Sequence, residues 1–177
     1  LEQNFKINSL TFEAGATTPV SVTIAPGAVA TNRLEVAPQL ATDGVTLSAG
    51  GPAAVTISAP FRLGNHQTWT VADAASTLTL SGGLQGEKDV TKAGAGKVIL
   101  SAAADSAFNA GLTTDFSVTA GNLEITNVGA LGTVVNGNLA NVVVNGGGFY
   151  FNGAATTTPN PITLGGGSLS AGGGTQT

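Results

Sequence analysis

The chain has 177 residues with ten acidic and six basic side chains, a formal net charge of −4, one His, and neither Cys nor Met. That balance excludes a disulfide framework and a basic nucleic-acid surface able to release counterions. Only 9% of residues are charged while 42% are hydrophobic, which also excludes the composition of a disordered chain. No apolar run is long enough for a membrane-spanning helix, so no membrane insertion is expected.

Taken in chain order, apolar-x-apolar segments recur at Leu10–Phe12, Val22–Ile24, Leu34–Val36, Val45–Leu47, Val55–Ile57, Trp69–Val71 and Leu78–Leu80. They continue at Val98–Leu100, Phe116–Val118, Leu123–Ile125, Val142–Val144, Phe149–Phe151, Ile162–Leu164 and Leu169. Alternation is the period of a strand with one buried face. No window holds the apolar pattern of an amphipathic helix, and the abundant Gly, Thr, Val and Asn lower helix propensity throughout. Small corners separate the segments: Ala25-Pro26-Gly27, Thr42-Asp43-Gly44, Ala49 to Pro52, Ser81-Gly82-Gly83 and Asn145 to Gly148. The strand-to-strand spacing is about eight to twelve residues, as in sandwiches, barrels and solenoids.

Short strands joined by single corners favour a parallel β-solenoid, in which each strand stacks on its counterpart from the next coil. The alternative is a β-sandwich, for which Asn136-Gly137-Asn138 and Asn152-Gly153 would serve as hairpin turns. Residues 1–177 are expected to form one continuous body. Its best-formed unit spans residues 87–126, where Asp89–Lys92, the corner Ala93–Gly96 and Lys97–Ser101 are followed by a second strand–glycine–strand plan at Thr119–Ile125. Thr156–Pro161 reads as a loop. Residues 171–177 lack an apolar anchor and are expected to fray.

Catalytic chemistry of a β-helix would need clustered carboxylates. Only Glu87-Lys88-Asp89 brings two acids together in sequence, and it reads as a solvated turn; stacking could align distant acids such as Asp105 and Asp115. Two carboxylates and a basic residue meeting in one groove would mark the alternative function, a carbohydrate-binding or polysaccharide-cleaving β-helix. The lone His66 precludes a two-imidazole metal cluster or a His-based triad with a spare imidazole, and reads as a surface turn residue beside Asn65. Trp69 reads as core packing. Phe149 and Phe151 share one strand face and Tyr150 the other. The Gly146–Gly148 and Gly165–Gly167 runs are followed by neither Lys-Ser/Thr nor a helix and are not phosphate loops. The glycine-aspartate calcium nonapeptide is missing as well. No catalytic residue, cofactor or metal ligand is therefore assigned, and the chain is not expected to be an enzyme.

The unit formed by Val90, Lys92, Gly94, Gly96, Val98, Leu100 and Ser101, then Phe108 with Gly111, then Gly121, Leu123 and Ile125, resembles the autotransporter-associated β-strand repeat of bacterial passenger proteins. It departs from that pattern at Ala102–Asn109. Ile7–Phe12, Gln67–Val71 and Ile162–Leu169 are similar to segments that flank such repeats. The resemblance implies a right-handed parallel β-helix, secretion or display at the bacterial cell surface, and a fibre, stalk or adhesin role without catalytic residues. At the family's lysine position, Lys92 is expected to cap a corner or to make a contact.

A solenoid has two open ends, so the expected partners are copies of itself, stacked head to tail into filaments, or adjoining segments of a longer chain. Phe5, Ile7, Tyr150, Ile162, Leu164 and Leu169 are the candidate subunit contacts, and host or matrix glycans are further candidate partners. The opening on Leu1, with no signal peptide, reads as a processed or truncated piece of a longer protein.

Overall fold

The computed structural model describes residues 1–15, 21–105, 108, 114–132, 139–153 and 158–172. Among them there is no helix, and every strand pairing is parallel.

Four coils of three strands come first. They are β1 (Phe5–Ile7), β2 (Leu10–Phe12) and β3 (Ser21–Ile24); β4 (Leu34–Val36), β5 (Gly44–Leu47) and β6 (Ala54–Ile57); β7 (Phe61–Leu63), β8 (Gln67–Val71) and β9 (Thr77–Leu80); and β10 (Leu84–Gly86), β11 (Val90–Ala93) and β12 (Lys97–Leu100). Three coils of two strands follow: β13 (Asp115–Val118) with β14 (Asn122–Ile125), β15 (Asn141–Val144) with β16 (Gly148–Phe151), and β17 (Ile162–Leu164) with β18 (Ser168–Ala171). The first strands of the early coils form the four-stranded sheet I, β1-β4-β7-β10. Sheets II (β2-β5-β8-β11-β13-β15-β17) and III (β3-β6-β9-β12-β14-β16-β18) each run through seven strands. This is a parallel β-helix.

Stacking supplies the stability that a three-residue strand lacks alone. In sheet III, Val55, Leu78, Val98, Leu123 and Phe149 occupy one inward column, and Ile57, Leu80, Leu100, Ile125 and Phe151 the next. All ten are buried. Thr23, Thr56 and Thr79 stack on the outside of the same sheet. The alternation that marked each strand in the sequence thus becomes two sides of a wall.

Among the described residues sheet I has no strand beyond β10. On the third wall beyond it, Phe108, Ala130, Leu131 and Ala140 close the core. The buried Asn160 amide ties this wall together, donating to the carbonyls of Leu131 (3.3 Å) and Ala140 (3.0 Å).

The corner between sheets II and III is held by a column of left-handed glycines, Gly94 (φ 76°), Gly121 (φ 63°) and Gly147 (φ 89°). A Cβ on Gly121 would lie 2.3 Å from the Gly96 carbonyl oxygen, so the coils approach too closely here for any side chain.

Several expectations change. The sandwich is ruled out by the uniformly parallel pairing. Asn152-Gly153 makes a turn in which the Asn152 side chain accepts from the Gly153 N–H (2.8 Å), not a hairpin. Gly44 and Gly148 open strands instead of forming corners. At the start of the stretch expected to fray, Ala171 belongs to β18, and the Gly172 N–H donates to the Phe151 carbonyl at 2.7 Å. Residues 173–177, the Asn136-Gly137-Asn138 signal, Gly111 and the Thr156-Thr157 part of the expected loop lie outside the described residues.

Candidate functional site

The ends of the β-helix are the first candidate. Sheets II and III finish on β2 and β3 at one end and on β17 and β18 at the other, each with one edge unpaired among the described residues. None of these four strands contains a charged residue. Leu164 and Leu169 stand in inward columns yet are 51% and 38% exposed, with no further strand paired beyond β17 and β18 among the described residues; Phe5, at the other end, is 48% exposed. Ile7 and Ile162 are partly buried. Phe5 and Ile7 therefore mark one end, and Ile162, Leu164 and Leu169 the other. Tyr150 belongs to neither: it faces outward on β16, between Glu124 and Ser170 in its column. Leu10, Phe12, Val22 and Ile24 were missed as end residues. Each is the first member of an inward column and only partly buried. The signal was present, since they are the earliest apolar-x-apolar pairs.

Inside the helix, Lys92 occupies an inward position, in register with Trp69 on one side and Val118 on the other. It is 1% exposed. Its ammonium donates to the carbonyls of Ala93 (2.6 Å), Gly94 (2.8 Å) and Ala120 (3.1 Å), so it caps the glycine corners of two successive coils. Burial pushes its pKa from 10.5 down to about 8. Trp69 is core, as expected, with Phe61 and Phe116 packed edge-on at 5.8 and 6.2 Å between ring centroids. Its indole N–H donates to Gln67 Oε1 (3.0 Å), and the Gln67 amide donates in turn to the carbonyls of Val36 and Asn65 (3.3 Å each).

Stacking does align distant acids, though Asp115 meets Asp89 and not Asp105. Asp115 stacks on Asp89, whose Oδ1 accepts the Asp115 N–H (3.0 Å), and Asn141 donates to Asp115 Oδ1 (2.8 Å). His66 lies at the head of this ladder, half exposed at the turn expected for it. Its Nδ1 is 3.1 Å from the Asp89 backbone nitrogen and 3.0 Å from Asp89 Oδ2. A neutral ring accepts the N–H there; a protonated ring turns the same edge into an ion pair with the carboxylate. Among the described residues no group of three or more His, Cys, Asp or Glu could hold a metal ion.

Asp105 instead joins Glu87, Arg33, Arg62 and Lys88 around a cavity of about 520 Å³ on the outside of sheet I. Two carboxylates and three cations thus meet in one groove, the mark set for the carbohydrate alternative. No protein-family model, curated protein or solved structure matches the chain.

Proposed function

We propose that the chain is a structural segment of a secreted or surface-displayed bacterial protein, a stretch of β-solenoid fibre, stalk or adhesin whose ends join further coils. The observation that carries this reading is the lack of any charge on β2, β3, β17 and β18. Exposed sheet edges are ordinarily blunted by Lys, Pro, bulges or covering segments, because unpaired N–H and C=O groups recruit other strands. Here the only charge on an end strand is Lys6 on β1, which pairs with Glu35 at 3.1 Å.

Parallel pairing makes the two ends complementary. In a head-to-tail stack, β17 of one copy adds to β2 of the next, and β18 adds to β3. Among the described residues the last coils contribute no strand to sheet I for β1 to pair with, so the stack rests on sheets II and III. The contact is heterologous and does not close, which yields a filament. Within a longer chain, neighbouring segments fill the same role. The bacterial and extracellular part of the proposal rests on the resemblance of the Val90–Ile125 unit to passenger repeats.

Sedimentation of the chain over a range of concentrations tests this, with a Leu164→Lys/Leu169→Lys variant alongside. The wild type is expected to grow in mass with concentration, and the variant to stay monomeric with an unchanged β-type circular dichroism spectrum. A monomeric wild type, or a variant that assembles equally well, would overturn the head-to-tail stacking of copies.

A further inference from the structure

Sheet I ends on β10 among the described residues. Two adjoining cavities lie on this part of the surface, of about 520 and 300 Å³, and they share Gln85 and Asp105. Together they make a cleft lined by residues from several coils. Three of the chain's six basic residues line it, in a protein whose net charge is −4. Arg62 stands in an outward column between Glu35 and Gln85 and lies 3.6 Å from the Glu35 carboxylate. Arg33 and Lys88 take part in none of the four ion pairs seen among the described residues.

The mixture of groups selects the ligand. Guanidinium and ammonium groups pair with carboxylates, while Glu87, Asp105 and the Gln85 amide can exchange hydrogen bonds with hydroxyls. A nucleic acid or polyphosphate would meet two carboxylates inside the cleft and a negative protein around it. A chain of sugars carrying carboxylates uses both kinds of group, and a lining drawn from several coils offers them at several points along a polymer. We propose that this cleft binds a uronate-bearing glycan, with Arg33 and Lys88 holding its carboxylates and Glu87, Asp105 and Gln85 its hydroxyls. The site lies on the lateral wall and does not depend on end stacking.

Isothermal titration with a defined oligogalacturonate tests it, using its methyl-esterified form, a sulfated oligosaccharide of equal length and inorganic phosphate as comparisons. The expected result is saturable binding of the oligogalacturonate that weakens with added salt and is lost on esterification. Binding should fall at least tenfold in an Arg33→Gln/Lys88→Gln variant whose circular dichroism and mass match the wild type. Four results would overturn the proposal: no binding, equal binding by the variant, equal binding of the ester, or equal binding of the sulfated sugar or phosphate, which would mark a general anion patch. As a check on folding, each single variant is titrated too, and each should lose part of the affinity.

Discussion

Lys92 and Trp69 are register partners on neighbouring strands, and both point into the core. An ammonium is tolerated beside an indole because its three N–H bonds end on the carbonyls of Ala93, Gly94 and Ala120. These are the carbonyls that a glycine corner turns away from the sheet, so the lysine satisfies backbone groups that the strand ladder cannot reach.

Replacing Lys92 by Met keeps the aliphatic fill and removes all three donors. Each buried carbonyl left unpaired costs about 1–3 kcal/mol. Relief of the ammonium's burial returns roughly 3 kcal/mol, the equivalent of a shift from 10.5 to about 8. The lost bonds outweigh that relief, and Lys92→Met should lower stability at pH 7 by about 2 kcal/mol in urea titrations.

The same lysine gives a pH signature. Its folded pKa is about 8, against 10.5 in the unfolded chain. Between those values the unfolded chain holds a proton that the folded chain has released, so stability rises with pH across the window. Below pH 8 the full penalty of the buried charge is present. Unfolding titrations at pH 7, 9 and 10.5 should therefore show a gap between wild type and Lys92→Met that widens with pH. A gap that narrows would contradict the buried, carbonyl-held ammonium.

Gly121→Ala should be among the most damaging single-methyl changes in the chain. A left-handed alanine costs about 1–3 kcal/mol, and its Cβ would sit 2.3 and 2.4 Å from the carbonyl oxygens of Gly96 and Gly94. A loss above about 2 kcal/mol in the unfolding midpoint energy is expected from strain and clash together.

Thr114 offers the opposite test. Its hydroxyl is buried and finds no partner among the described residues, while its carbonyl accepts the Asn141 N–H at 2.9 Å. Thr114→Val keeps the shape and the backbone bond and removes the orphan oxygen. It should leave stability unchanged or raise it by up to about 1 kcal/mol.

Period-two alternation made the walls of sheets II and III legible in the sequence. Most segments there carry two large apolar residues flanking one outward position, as in Leu78-Thr79-Leu80, while β11 sets Lys92 in an inward place. Sheet I was harder to see. Leu84-Gln85-Gly86 has a single large apolar residue, and its pairing with Phe61–Leu63 comes from the neighbouring coil, not from its own pattern. The Lys92 cap was foreshadowed by the lysine's place before a glycine corner, but its burial depends on the register with Trp69. The cleft was not visible at all: Arg33, Arg62, Lys88 and Asp105 are spread over more than seventy residues of sequence and meet only because the coils stack.

Negative-stain electron microscopy of the purified chain at rising concentration tests the central claim most directly. Unbranched rods one β-helix wide, lengthening with concentration, are the predicted result. Single compact particles at every concentration would contradict it, because ends with uncharged open strands would then have been shown not to recruit further coils.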